Sequence, residues 1–170
     1  MALVKPPALV VHIIYALGTG GLENGLVNII NRMPPEQYKH VIICLTHATD
    51  FANRITAPDV CVIELNKKEG HDWHAYWRLQ KMLWGLKPDI VHTRNLAALE
   101  MQVLTLALPG VKRVHGEHGR DMYDLHGQNK KYNHLRRVMS FLVHRYIAVS
   151  KDLESWLLET VKVPKKKVRQ

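Results

Sequence analysis

LVVHIIYALGTGGLENGLVNIINRM, residues Leu9 to Met33, is the stretch that decides the fold. Its apolar run, Val10 to Tyr15, is continuous and β-rich, as a strand buried on both faces should be. A turn bearing Gly18, Gly20 and Gly21 follows directly. Leu22, Leu26, Val27, Ile29, Ile30 and Met33 then recur at helical spacing, and Pro34-Pro35 stops the helix. Strand, glycine turn and helix in that order open doubly wound α/β domains. The turn is where such domains receive a phosphate.

The rest of the chain repeats the plan. Strands are expected at His40 to Leu45, Val60 to Leu65, Asp89 to Thr93, Val111 to Glu117 and Arg145 to Val149. A short helical turn fits Phe51 to Ile55. Helices fit Trp73 to Leu86 with Asp72 as N-cap, Leu96 to Leu106 with Asn95 as cap, Lys130 to His144, and Ser150 to about Glu159. Trp73, Tyr76, Trp77, Leu83 and Trp84 are expected on the buried side of their helix. Strands alternating with helices imply right-handed crossovers and a parallel, Rossmann-like sheet in one domain. Ligands then bind at the carboxyl ends of the strands, in the loops after Tyr15, His92, Glu117 and Val149.

Composition narrows the class. At 170 residues the chain can build its own core. No stretch approaches the ~18 apolar residues of a spanning helix. The N-terminus, with Lys5 as its one basic residue and Pro6-Pro7 before the apolar run, reads as the approach to a strand and not as a signal peptide. Cys44 and Cys61 both fall in expected core strands, which points to buried, reduced thiols and a cytoplasmic protein. The net charge of +9 includes a terminal KKKVR that reads as a solvated end. Such a balance attracts anionic partners without choosing among them, and nucleic-acid binding, resting on charge alone, is not expected. The basic amphipathic helix from Lys130, with Lys131, His134, Arg137 and Arg145, either covers the sheet with its charges solvated or lies on an anionic membrane.

Three clusters carry candidate chemistry. The Gly20-Gly21 turn frees backbone N–H groups for a phosphate, while Glu23 sits where it can fold back on the helix N-terminus as in a capping box. His92 and Arg94 close the fourth strand, where Arg94 can pair with an anionic group. Val114-His115-Gly116-Glu117-His118-Gly119-Arg120-Asp121 brings His118, Glu117 and Arg120 to the end of the fifth. Zinc between His115 and His118 is disfavoured, because no cysteine or second ligand pair stands nearby.

The GGLE turn, LKPDIVHTRN, HGEHG and YIAVSKDLESWLLETVKVPKKKV, in this order and spacing, resemble the N-terminal domain of family 4 (group 1) GT-B glycosyltransferases, closest to sugar transferases of bacterial exopolysaccharide clusters. The resemblance covers essentially the whole chain. It implies retaining transfer of a sugar from a nucleotide-diphosphate donor to a glycan or lipid-linked acceptor, without an essential metal or other cofactor. It further implies that Gly20 and Gly21 face the donor diphosphate and acceptor, and that His118 approaches the donor sugar. His92 shapes the cleft, and Ser150 follows the last strand, mainly as a cap. Arg94, Glu117 and Arg120 have no firm family counterpart and stand as acceptor-side candidates. Family members continue into a second, donor-binding domain, and this sequence stops before its usual entrance. The chain alone is therefore expected to be inactive, acting inside the cell or peripherally at the inner face of its membrane. The competing reading is a non-catalytic binding domain for a phosphorylated ligand or a partner protein. A dinucleotide oxidoreductase fits less well, lacking GxGxxG and an acidic end to the second strand, which closes on Leu45-Thr46-His47.

Overall fold

The computed structural model describes residues 6–120 and 123–170. Seven strands form one parallel sheet in the order β3-β2-β1-β4-β5-β6-β7. They are β1 (Ala8–Ile14), β2 (Tyr38–Cys44), β3 (Cys61–Glu64), β4 (Ile90–Arg94), β5 (Lys112–Glu117), β6 (Arg145–Ala148) and β7 (Val168–Arg169). The helices are α1 (Gly21–Arg32), α2 (Trp73–Leu86), α3 (Asn95–Leu99), α4 (Lys130–Leu142) and α5 (Lys151–Trp156). The doubly wound parallel sheet expected from the opening stretch is therefore the fold. Lys5 and Asp121 lie outside the described residues.

The winding direction follows from crossover handedness. From β1 the chain moves outward to β2 and β3, and α1 covers that face. Leu26, Val27 and Ile30 of α1 pack with Ile14, Leu17, Ile42 and Cys44. From β3 the chain returns to β4 and continues to β7 with its helices on the opposite face. There Leu79 and Leu83 of α2 join Val11, Ile13, Val41, Ile43 and Val91. Beyond them Met139, Tyr146, Leu153, Trp156 and Leu99 form a further core. The winding reverses between β1 and β4, which pair directly. That reversal creates a crevice at their carboxyl ends.

Local signals explain most boundaries. Asp72 caps α2 by accepting from Ala75 N–H at 3.0 Å. The helix closes on left-handed Lys87 (φ 49°) before Pro88. Ser150 caps α5, its hydroxyl oxygen accepting from Leu153 N–H at 3.2 Å.

Five expectations need correction. Trp73, Trp77 and Trp84 are exposed, because Ala75, Leu79, Gln80 and Leu83 form the inner stripe of α2. Cys61 is exposed on β3, the edge strand, while Cys44 is buried. The helix expected over Leu96 to Leu106 is α3 followed by a 3₁₀ segment, Glu100–Ala107. Asn95 is not its side-chain cap; it is a left-handed residue (φ 55°) whose side chain is engaged elsewhere. The terminal KKKVR is a solvated end only in part, with Lys165, Lys166 and Arg169 exposed. A 3₁₀ turn, Lys165–Lys167, leads into β7. Lys167 Nζ donates to the carbonyls of Ser140 (2.5 Å) and Val143 (2.8 Å), satisfying the C-terminus of α4.

Candidate functional site

Strand parity sorts the candidates. Successive side chains of a strand point to opposite faces. On β4, His92 and Arg94 share the α1 face with His12 of β1, which His92 pairs in register. Gly116 lies opposite Arg94 and holds the same parity, as does His118 just beyond β5. His115 and Glu117 point to the other face, with Thr93 and Tyr146.

On the α1 face, Arg94 is 1% exposed, and its Nη1 donates to His118 Nε2 at 2.8 Å. A guanidinium only donates, so His118 accepts at Nε2 and carries its proton on Nδ1. Among the described residues no protein group bonds that Nδ1. Burial first, then the charge of Arg94, lowers the His118 pKa to about 4, so the ring is neutral at pH 7. Burial lowers the Arg94 pKa to about 10, against the attraction of nearby Glu23, and Arg94 stays charged. Asn95 Oδ1 accepts from the His118 backbone N–H at 2.7 Å. The left-handed backbone that aims Asn95 is one asparagine tolerates. Gly116 is required beneath this arrangement. A Cβ there would lie 2.9 Å from His118 Nε2 and 3.1 Å from His92 Nε2.

Behind the site runs a row of buried imidazoles. His12 Nε2 and His40 Nδ1 are 3.1 Å apart, and the His12 and His92 rings lie 5.6 Å apart. Burial lowers the pKa of all three, and the charge of Arg94 lowers His12 and His92 further. They form a neutral floor beneath the Arg94 cation.

The front wall is the start of α1. Gly20 is its N-cap in extended backbone, and Asn24 N–H to Gly20 O at 2.9 Å is the first rung of the helix. The N–H groups of Gly21, Leu22 and Glu23 therefore precede the ladder and are available to an anion. Glu23 folds back over Gly20, where an added Cβ would collide with Oε2. The carboxylate thus lies at the start of the helix, lines the recess and stands within the field of Arg94. Between these walls lies a recess of about 350 Å³ lined by Tyr15, Leu22, Glu23, Arg94, Ala97 and Arg120. Arg120 is anchored at the rim by Asp152 at 2.8 Å.

The opposite face is a closed cluster. Glu117, fully buried, accepts from Arg136 Nε at 2.7 Å and pairs with His115 Nε2 at 3.3 Å. Burial raises the Glu117 pKa, but the His115 and Arg136 bonds outweigh it and hold the carboxyl below its ordinary range. His115 Nδ1 bonds Thr93 Oγ1 at 2.8 Å. Glu117 thus does not line the recess, and His115 and His118 face opposite ways and share no ligand.

Of the sequence candidates, Gly20, Gly21, Glu23, Arg94, His118 and Arg120 come together, with His92 beneath them. Ser150 caps α5, as its place before that helix led one to expect. Sequence reasoning missed Asn95 as a positioning residue, and missed Gly116 and His12. An asparagine directly after a strand-ending arginine was the available signal for the first.

A crevice at the switch point, walled by a glycine-rich helix N-terminus and a neutral histidine, defines the N-terminal half of a GT-B, Rossmann-like architecture. Residues 19–170 match Glycosyltransferase Family 4, and the chain belongs to that family. No curated protein matches it in sequence. Among solved structures it is similar to a glycosyltransferase from Rickettsia africae, with TM-score 0.73 and 20% identity, over 97% of this chain and 42% of that one. It is also similar to Anabaena HepE in complex with UDP, with TM-score 0.67 and 13% identity, over 94% and 42%. A UDP-GlcNAc 2-epimerase from Neisseria meningitidis, bound to UDP-GlcNAc, follows with TM-score 0.58 and 18% identity, over 94% and 44%. These likenesses are of fold. The chain spans less than half the length of each.

Proposed function

We propose that this chain is the acceptor-side half of a retaining glycosyltransferase that moves a sugar from a nucleotide-diphosphate donor to a glycan or lipid-linked acceptor. A second, donor-binding domain would complete the cleft, and the 170 residues alone would not transfer sugar. The observation that carries the reading is Arg94, bonded to His118, in one recess with Leu22 and Glu23 at the N-terminus of α1. Membership of a glycosyltransferase family supports it, as do the UDP and UDP-GlcNAc bound in two structures of similar fold.

Each group has a task in that chemistry. The free N–H groups at Gly21 to Glu23 and the helix dipole meet the negative charge that grows on the diphosphate as the glycosidic bond breaks. His118, neutral and with its proton on Nδ1, donates to a hydroxyl of the donor sugar. Arg94 fixes that tautomer, and His92 and Gly116 set the height of the imidazole. Arg120 stands at the rim, where an anionic acceptor group would pass. No step requires a metal or a redox cofactor, and the protein would work in the cytoplasm.

In the complete enzyme, His118→Ala is expected to lower kcat by about a hundredfold, the scale of losing one aimed donor in a transition state. Unchanged turnover would remove His118 from the mechanism. Sugar transfer by the 170-residue chain alone would overturn the assignment of a separate donor-binding domain.

A further inference from the structure

A second recess adjoins the one between α1 and Arg94, and Tyr15 and Ala97 line both. It has a volume of about 320 Å³ and is walled by Leu45 and Thr46 after β2 and by Lys67, Lys68, Glu69 and Gly70 after β3. Like the first, it lies at the carboxyl ends of the strands, where open α/β sheets bind ligands. Its walls are fixed by hydrogen bonds within the chain. The Tyr15 carbonyl accepts from Thr46 N–H at 2.9 Å and from Thr46 Oγ1 at 2.8 Å. These two bonds hold the backbone that carries the Tyr15 ring, which is 59% exposed. In the loop after β3, Lys67 Nζ donates to the carbonyls of Lys68 (3.1 Å) and Gly70 (2.5 Å). Asp72 Oδ2 accepts from Lys68 N–H at 2.9 Å. Ala97, exposed on α3, places only a methyl group where the two recesses meet.

The lining of the second recess favours a neutral ligand rich in hydroxyls. The Lys67 ammonium is committed to loop carbonyls. Lys68 and Glu69 bring opposite charges, so the recess offers donors and acceptors without an excess of cations to select a phosphate. The first recess is different, with Arg94 and Arg120 in its lining. Apart from Tyr15, the apolar lining is Ala97 and Leu45, and Leu45 is only 1% exposed, too little surface to hold an acyl chain. A pyranose has an apolar face of C–H groups and a rim of hydroxyls. A fixed tyrosine ring with hydrogen-bonding groups around it matches both.

We propose that the second recess binds the penultimate sugar of a glycan acceptor, stacked on Tyr15, while the terminal sugar passes Ala97 into the first recess. The acceptor is then a chain of at least two sugars, and Tyr15 selects for that length. This rests on the transferase reading given above and names its acceptor class. Tyr15 acts on the unit next to the one that reacts, so it determines specificity and takes no part in the chemical step.

The test is titration of the nitrogen-15-labelled chain with methyl glycosides of glucose, galactose, mannose and N-acetylglucosamine, and with disaccharides of the same sugars, followed by amide shifts. At least one disaccharide is expected to shift Lys68, Gly70 and Ala97 together with Leu22 and Glu23. It should bind about tenfold more tightly than its monosaccharides. Tyr15→Ala should lower that affinity by about tenfold, and Tyr15→Phe, which keeps the ring, should retain it. Ala97→Trp, which fills the junction, should remove the advantage of the disaccharide. Positions 15 and 97 are exposed, and an unchanged circular dichroism spectrum confirms the fold of each variant. Equal affinity for mono- and disaccharides, or shifts confined to the first recess, would overturn the proposal. So would full affinity in Tyr15→Ala, or no shift with any disaccharide at millimolar concentration. Shifts of Lys68 and Gly70 with inorganic phosphate and with no sugar would assign the recess to an anion and overturn it too. The titration contains no donor and needs no turnover, so its failure and a failure of the transferase reading are separate results.

Discussion

One motif, HGEHGR, feeds two clusters that end differently. On one face of the sheet, Glu117, His115 and Arg136 close on one another and are buried. On the other, His118 is held by Arg94, which lines the recess, and by Asn95, and among the described residues its Nδ1 has no partner. The residue types are the same: histidine, arginine and a polar partner. Strand parity alone separates them, since Glu117 and His118 are neighbours in sequence. A closed cluster stabilises the β5–β6 region, and an open one can act on a ligand.

Breaking the closed cluster should have the largest effect. Glu117→Ala removes the buried carboxylate that Arg136 and His115 share and is expected to cost about 3–5 kcal/mol in urea unfolding. His118→Ala should cost less stability, about 1–3 kcal/mol for the acceptor taken from buried Arg94, while lowering kcat of the complete enzyme by about a hundredfold, or roughly 2.7 kcal/mol. If the two variants exchanged these signatures, the division would fall. Gly116→Ala forces His92 and His118 apart and should cost about 1–3 kcal/mol, the range for overpacking, together with activity.

pH sharpens the comparison. His12, His40, His92 and His118 all have lowered pKa values in the folded chain. Between the folded values and 6.5 the unfolded chain binds more protons, so stability is full above about pH 6.5 and falls as pH drops. The slope should be about 1.4 kcal/mol per pH unit for each histidine whose uptake differs. Unfolding free energies from pH 7 to 4.5 check it, and His12→Leu should flatten the curve. The smallest effect is expected from Lys167→Met, which leaves α4 carbonyls to water at about 1 kcal/mol, read from the melting temperature.

The fold was legible because it is written in periodicity. The apolar runs at Val10, His40 and Val111 and the stop at Pro34-Pro35 place the elements directly, and Asp72 and Ser150 mark helix starts. What was hidden depended on packing. α2 carries apolar residues on both sides, so the pattern could not say that Ala75 and Leu83, rather than Trp73 and Trp77, face the sheet. β7 is two residues long behind three lysines, too short for a period to register. Of the site, the glycine turn and His118 were visible as motifs. The fall of Glu117 to the opposite face needed the strand's extent, and the Arg94–His118 bond needed the register of β4 against β5.

Arg94 presents His118 as a neutral imidazole with its proton on Nδ1. Nitrogen-15 NMR of the His118 ring across a pH titration tests it on the chain itself. The Nδ1–H tautomer is expected at pH 7, with a protonation midpoint near 4 that rises in Arg94→Met. An Nε2–H tautomer, or titration near the ordinary 6.5 with Arg94 in place, would contradict it.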